Sequence, residues 1–294
     1  MTIASISALR AATNSAQTFS IYKTPPAGAG GSARQGRIYD LWTYTGNPTA
    51  GSAPSTTTGT LLSRTTTGAV PFTSPLSLSK RISDFAVRAS TAMNSSNANP
   101  PVQSGAIYII DRLWQNGNLS LASIGASTWS PPSLTRYADG EGLCMLATIW
   151  TGNTGADNNI GVTVTYTNQA GTTGRTASIN WSLFSLGQGN AFSETQIVPL
   201  QAGDTGVRAI TGSTPNQTTT NPSPFGFVLA KVLAVVPCSG DLSAGYFNSF
   251  LTTCLPAIDS NACISFLYAM SGGYTTTVGA TYPTIVGSLS LIEG

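Results

Sequence analysis

The sequence predicts an all-β fold, a β-sandwich or jelly roll that carries an extended N-terminal arm and a C-terminal extension. Short apolar runs recur along residues 101–237 and are separated by turn residues, a pattern typical of short strands joined by hairpins. Roughly eight such runs are enough for two packed sheets. We therefore divide the 294 residues into a loop-rich arm region with one or two strands (1–100), a β-sandwich domain (101–237) and a C-terminal extension (238–294).

The first segment is rich in turn-forming residues. Stretches 24–31 (TPPAGAGG) and 49–60, which ends in a threonine run, contain too few large apolar side chains to fold alone. Between them, residues 36–44 (GRIYDLWTY) predict a strand. Residues 3–19 fit either a short helix or an extended arm.

Apolar side chains on a free arm would be poorly hidden from water. Because ordering each residue costs about 1–2 kcal/mol, we expect stretches 1–35 and 45–75 to lie against neighbouring subunits that bury them. The alternative is that the arm folds back on its own domain. The candidate interface residues are Ile3, Ile6, Leu9, Phe19, Ile21, Tyr22 and Trp129.

The second segment contains the clearest strands. Residues 105–114 (GAIYIIDRLW) and 143–150 (LCMLATIW) are continuous apolar runs, whereas 162–166 (VTVTY) alternates with period two. Residues 168–171 (NQAG) predict the turn of a hairpin. The other predicted strands are 175–181, 194–200, 206–210 and 225–236.

The third segment is less regular. Residues 241–254 and 260–270 each fit a short helix or an irregular strand, and 278–292 predicts a terminal strand. No apolar stretch reaches the ~18 residues of a membrane span, and the N-terminus does not resemble a secretory signal. We therefore expect no membrane partner.

Charged residues make up only 8% of the chain, against about 25% in a typical soluble domain. The net charge is +2, and the only adjacent basic pair is Lys80-Arg81, so the clustered cations that bind a nucleic-acid backbone are missing. A surface of uncharged polar groups has little self-repulsion and suits a protein that packs against other subunits.

The chain contains no histidine, which excludes Ser-His and Cys-His catalysis and most zinc chemistry. The closest acidic pair, Asp139 and Glu141, is bracketed by glycines and fits a turn better than a glycosidase pair. Asp157-Asn158-Asn159 lacks the ligand spacing of a calcium loop, and 28–31 lacks the Lys-Ser/Thr of a phosphate loop. We expect no catalytic residue, cofactor or metal.

The four cysteines are Cys144, Cys238, Cys254 and Cys263, and none forms a CxxC pair. One disulfide among the last three is conceivable, but buried thiols in a protein made in a reducing cytoplasm are the favoured interpretation.

Five tryptophans could line a sugar-binding face or fill a core. Trp129, which precedes Ser130-Pro131-Pro132, is expected to be the most exposed and is also a candidate for protein contacts.

Three stretches carry a family resemblance: 36–48, 109–114, and 162–175 followed by 199–208. Together they resemble uncharacterised structural proteins of tailed bacteriophages, across about two thirds of the chain, residues 36–236. The resemblance implies a role in the virion and no active site. Such proteins are similar in style to capsid decoration proteins, which often form trimers.

The sequence therefore predicts a virion structural protein that decorates or cements a tailed-phage capsid. Its expected partners are the major capsid protein and further copies of itself, as a trimer, on the capsid surface after synthesis in the host cytoplasm. The alternative is a tail, baseplate or fibre component that binds host glycans. An Asp/Glu glycosidase is the remote third option.

Overall fold

The computed structural model describes residues 5–26, 36–73, 79–90, 105–122, 124–150, 161–180, 192–216, 218, 224–238, 245–248, 257–271 and 284–293. Within these ranges the side chains of residues 6, 9, 90 and 245–248 are not described. The described chain is nearly all strand, which confirms the predicted all-β class.

One α-helix, α1 (Ile6–Asn14), opens the described chain, and a short 3-10 helix (Leu41–Thr43) follows the second strand. The side chain of Ser5 begins α1 by accepting a hydrogen bond from the Ala8 N–H at 3.1 Å. The strands are β1 (Gln17–Thr24), β2 (Arg37–Asp40), β3 (Thr45–Asn47), β4 (Thr60–Leu61), β5 (Lys80–Ser90), β6 (Gly105–Gln115), β7 (Ser127–Thr128), β8 (Leu143–Ile149), β9 (Gly161–Asn168), β10 (Arg175–Asn180), β11 (Glu194–Val198), β12 (Val207–Pro215), β13 (Phe225–Cys238), β14 (Gly245–Asn248), β15 (Ala257–Ile258), β16 (Ile264–Met270) and β17 (Thr284–Glu293).

The centre of the molecule is a closed sheet of six antiparallel strands. Its order is β13-β8-β11-β2-β16-β6, and β6 pairs again with β13, while β4 adds to the far end of β6. Register shifts between Leu229 and Ala230 and between Val232 and Ala234 let β13 bend between its two partners.

Two open sheets cover the closed sheet. The first sheet has the order β14-β5-β17-β1-β3, with β15 also paired to β5. The hairpin sheet has the order β10-β9-β12-β7. Its β9–β10 pair is the hairpin predicted at residues 168–171, and the alternation predicted at 162–166 is observed as buried Val162, Val164 and Tyr166.

Three apolar clusters result from this layering. Successive residues of a strand point to opposite faces, so β6 supplies Ile109 to one cluster and Ile110 to another. The first cluster lies between the first sheet and the closed sheet, and the second lies between the closed sheet and the hairpin sheet. The third fills the inside of the closed sheet, which we call the lumen cluster.

One end of the closed sheet is plugged by aromatic side chains. Trp42 lies in the 3-10 helix after β2, and Trp150 follows β8 directly. Both belong to the lumen cluster with Leu62 and Ala69, which follow β4. Their indole N–H groups donate to the backbone carbonyls of Ser52 and Asn116, so neither buried donor is unpaired.

The prediction that residues 1–35 extend away from the domain is wrong for residues 17–24. They form β1, which pairs with β17 over seven residues and with β3 in the same chain. Ile21 is buried, and the buried ammonium of Lys23 donates to the carbonyls of Tyr44 and Thr49. Strand pairing on both edges and burial of one face stabilise β1 within its own domain, so it does not need a neighbouring subunit.

The same correction applies to the threonine-rich stretch 45–73. The indole of Trp114, the amide of Asn116 and the backbone N–H of Gly117 donate to the carbonyls of Thr58, Thr57 and Thr56 respectively. Hydrogen bonds from buried donors therefore hold a loop that has few apolar side chains of its own.

The predicted boundaries at residues 100 and 237 do not separate different sheets. The closed sheet combines strands from all three predicted segments, β2, β8 and β16 among them, and the first sheet combines strands from the first and third. The two stretches for which a helix or a strand was expected form strands β14 and β16 where they are described.

Candidate functional site

The predicted interface residues are only partly described. Ile3 lies outside the described residues, and for Ile6 and Leu9 the structure gives the helical backbone of α1 alone. Trp129 follows β7 and is 8% exposed, with its ring stacked on Phe227 at 6.3 Å between centroids. The expectation that Trp129 is exposed is therefore wrong, because the second apolar cluster covers it.

The three predicted residues on β1 divide between the two faces of the first sheet. Ile21 is buried and Phe19 is partly buried against the first apolar cluster, whereas Tyr22 is 47% exposed on the opposite face. Only Tyr22 can therefore contact another molecule without unfolding its own sheet.

Tyr22 has an exposed apolar neighbour that the sequence did not identify. Val286 of β17 lies directly opposite it and is 36% exposed. The same row of the sheet continues to Asn47 on β3 and to Arg88 on β5, both exposed. Threonine and serine residues surround this row, since Thr18 and Ser20 occupy the same face of β1.

A second exposed apolar surface lies at the end of the closed sheet opposite to the tryptophan plug. We call it the apolar rim, and it consists of Ile197, Val232 and Val235, which are 48%, 38% and 45% exposed. Ile197 lies opposite Leu146 and Val232 lies opposite Ile110, and both partners belong to the lumen cluster. Val235 lies opposite Tyr108, which packs against the same cluster.

Residues directly opposite on paired strands point to the same face, so all three rim side chains face the lumen side of the sheet. They are exposed because β8 stops pairing with β13 at Lys231 and β2 stops pairing with β11 at Thr195. This surface was not predictable from the sequence, because Val232 and Val235 lie within one apolar run and only the strand register separates them from the core.

A buried ion pair lies inside the closed sheet. The guanidinium of Arg112 donates to both carboxylate oxygens of Asp40, and both side chains are fully buried. Arg112 also donates to Gln115 and Ser265, and its guanidinium carbon lies 4.7 Å from the centroid of the Trp42 ring. These contacts tie β2 to β6 and β16 through side chains.

A second buried pair joins the preceding residue of β6, Asp111, to a loop. Arg136 donates from two nitrogens to the Asp111 carboxylate, at 2.8 and 2.6 Å, and to the carbonyls of Leu62 and Arg112. Asp111 further accepts from the backbone N–H of Cys263 at 2.9 Å. The sequence marked Asp111-Arg112 only as part of a strand, since their partners lie in distant segments.

A third cluster organises the hairpin sheet. The carboxylate of Asp204 accepts hydrogen bonds from Arg175, Tyr166 and Asn168, with the two Arg175 contacts at 2.9 and 3.0 Å. Hydrogen bonding to Arg175 first, and to the other two donors, lowers the pKa of Asp204 to about 2. The Asp204 turn is thereby fixed to both strands of the β9–β10 hairpin.

The acidic pair Asp139 and Glu141 lies in an exposed turn, as predicted. Asp139 accepts a hydrogen bond from the N–H of Glu141, and Glu141 accepts one from the Thr205 hydroxyl at 2.8 Å. Gly140 and Gly142 both have positive φ, which explains the glycines on either side of Glu141.

Cys144, Cys238 and Cys263 are free thiols in the structure, and Cys254 lies outside the described residues. Burial raises the pKa of Cys144 and Cys238 to about 11 and that of Cys263 to about 12. No group of three or more His, Cys, Asp or Glu side chains in the described ranges is placed to hold a metal ion. Residues 28–31 and 157–159 lie outside those ranges.

Four of the five tryptophans, Trp42, Trp114, Trp129 and Trp150, are buried, and Trp181 is not described. The four therefore form no sugar-binding face. In the part of the chain that the structure describes, no helix has the length and apolar character needed to cross a membrane.

No protein-family model matches the sequence, and no curated protein matches it. Among solved structures, the chain is similar to the VP2 subviral particle of infectious bursal disease virus, at 10% identity and a TM-score of 0.21, over 95% of this chain and 79% of that one. T=1 particles derived from the same virus give 8% identity and a TM-score of 0.17, over 95% and 77%. TM-scores this low carry no argument about fold or function.

Proposed function

We propose that the chain is a virion structural protein that decorates or cements the capsid of a tailed bacteriophage through contacts between subunits. The observation that carries this proposal is the apolar rim, three aliphatic side chains exposed together at one end of the closed sheet. Fully burying such a side chain stabilises an interface by about 1.5–3 kcal/mol. The partners proposed are the major capsid protein and two further copies of the chain, as a trimer on the capsid surface.

The distribution of charge supports an assembly role. The charged side chains at the centre of the molecule are paired with each other, and the chain carries few charges in all. The surface is therefore left with hydroxyl, amide and aliphatic groups, which can pack against a like surface without desolvating many ions.

Replacing the rim tests whether it holds subunits together. The triple variant Ile197→Ser, Val232→Ser and Val235→Ser should shift the purified protein from trimer to monomer in light scattering, with little change in its unfolding midpoint. Ile124→Ser is the matched control, because Ile124 is 63% exposed in the loop between β6 and β7 and should leave the trimer intact. A trimer that survives the triple substitution contradicts the role of the rim.

The cement role itself is tested on particles. A virion lacking the protein should resist heat and low salt less well than the complete virion. Equal resistance of the two particles would contradict the proposal.

A tail, baseplate or fibre location is the second candidate, and the number of copies per virion separates the two locations. Gel densitometry should give hundreds of copies per virion for a decoration protein and far fewer for a tail protein.

A further inference from the structure

A cavity of about 430 Å³ opens between the loop after β3 and the turn that follows β4. It lies within the range of about 300–1,000 Å³ that ligand pockets occupy. The lining residues are Asn47, Pro48, Thr49, Arg64, Thr65, Thr66, Thr67, Gly68, Ala69, Pro71, Phe72 and Thr73. The described lining thus combines one arginine with several threonines and contains no carboxylate.

Arg64 is the only charged residue among the described lining residues, and it is half-buried. Its side chain makes one long contact, from Nη1 to the carbonyl of Phe72 at 3.5 Å, and forms no ion pair with any described residue. Every other half-buried or buried arginine discussed above, namely Arg112, Arg136 and Arg175, donates to an aspartate. Most of the N–H groups of the Arg64 guanidinium therefore have no hydrogen-bond acceptor among the described residues.

Hydrogen bonds and a glycine turn hold the segment that carries Arg64 in place. Thr66 and Ser63 exchange hydrogen bonds, and the N–H of Arg64 donates to the carbonyl of Asn261 at 3.1 Å. Gly68 has a φ of +104°, and a Cβ there would lie 2.7 Å from the Cα of Gly51, so only glycine fits this turn. A site fixed in this way binds without first paying the entropy of ordering its walls.

The hydroxyl groups provide the second part of the site. The side chains of Thr49 and Thr67 form no hydrogen bond with other described residues, so they can donate to or accept from a ligand. Pro48 and Pro71 add apolar surface beside them. Hydroxyl and apolar groups together match the two kinds of surface that a sugar ring presents. A single arginine matches one carboxylate in a bidentate pair.

We propose that this cavity binds a carboxylate-bearing saccharide, with the carboxylate on Arg64 and the sugar hydroxyls on the threonines. A phosphate is the poorer match, because phosphate sites combine several cations or a helix N-terminus, and the described part of this lining has one cation. The proposal is independent of where in a virus particle the protein acts, so it can fail without affecting the proposed function.

Calorimetry on the full chain tests the proposal with four probes: D-glucuronate, its methyl ester, D-glucose and inorganic phosphate. Glucuronate should bind, whereas the ester and glucose should bind at least about tenfold more weakly because the charge-assisted pair is lost. Arg64→Gln should weaken glucuronate binding by a similar factor, and Arg88→Gln, an exposed arginine on the first sheet, should not.

The use of the ester keeps the test valid even if Arg64→Gln alters the fold. Absence of glucuronate binding by the wild-type chain at millimolar concentrations would overturn the proposal. Equal binding of glucose and glucuronate, or tighter binding of phosphate with the same dependence on Arg64, would overturn it as well.

Discussion

The closed sheet contains a buried ion pair, and each charged residue of the pair makes the burial of the other possible. Asp40 and Arg112 are both fully buried, so each offsets the desolvation of the other. Such a pair is weak evidence of net stabilisation, but the loss of either partner alone leaves an uncompensated charge.

Arg112→Met should therefore lower the free energy of unfolding by about 3–5 kcal/mol, measured by urea denaturation at pH 7. Adding Asp40→Asn should recover much of this loss, because it removes the unpaired charge and keeps an oxygen for the N–H of Trp42. Arg88→Met is the control, since Arg88 is exposed. A double variant no more stable than Arg112→Met would refute this explanation.

Asp204 should make the hairpin sheet sensitive to acid. Its pKa in the folded state, about 2, lies below the value of about 3.9 for an unfolded aspartate. Its stabilising effect is therefore complete above about pH 4 and is lost as the pH falls towards 2. Asp204→Asn should flatten the fall of the unfolding midpoint across this window, measured by circular dichroism. An unchanged pH profile would show that Asp204 does not contribute.

The three described thiols should be unreactive in the folded protein. Because only the thiolate reacts, pKa values of about 11 to 12 leave almost none available at pH 8. In a Cys254→Ser background, iodoacetamide should label no cysteine of the native chain and all three after unfolding in urea, as read by mass spectrometry. Rapid labelling of Cys263 in the native chain would contradict its burial.

At the scale of elements, the pairing of β3 with β1 depends on a glycine. Gly46 has a φ of +126°, and a Cβ there would lie 1.9 Å from the carbonyl oxygen of Tyr22. Gly46→Ala should therefore separate the two strands and cost clearly more than the about 1–2 kcal/mol of backbone strain alone. Gly174→Ala is a matched control, with φ +70° and no atom within 4 Å of the added carbon. Equal unfolding midpoints for the two variants would refute the steric argument.

The strands themselves were largely predictable. The runs at 105–114, 143–150 and 225–236 became β6, β8 and β13 with ends that differ by two residues at most. Local patterns sufficed there because each strand is apolar for most of its length and is bounded by turn residues.

The candidate site was not predictable in the same way. The pair of Arg112 with Asp40 joins residues 72 positions apart, and the rim depends on where β2 and β8 stop pairing. The attachment of residues 56–58 to their own domain was missed because the donors that hold this loop belong to Trp114, Asn116 and Gly117, far along the chain. The composition of a segment predicts how much apolar surface that segment can bury, but it does not reveal which distant residues will form hydrogen bonds with its backbone.

At the scale of the whole molecule, β17 joins the two halves of the first sheet. It pairs with β5 on one side and with β1 on the other, and Ile285, Leu289 and Leu291 on it belong to the first apolar cluster. A chain that ends at residue 283 should lose this sheet and unfold without a cooperative transition in calorimetry. The substitution Val286→Ser, on the exposed face of the same strand, is the control and should unfold cooperatively. A cooperative transition in the truncated chain would show that the closed sheet and hairpin sheet are independent of β17.

The position of β17 also sets an order of events during synthesis. Thr18 on β1 bonds to Ser290 on β17, a partner 272 residues later in the sequence. At translation rates of about 5–20 residues per second, β1 waits roughly 15 to 55 s after leaving the ribosome before its long partner exists. During that interval the edge of β1 that will pair with β17 is open, and Phe19 and Ile21 are uncovered. Chaperone binding to the growing polypeptide should therefore concentrate on this strand and end when β17 emerges.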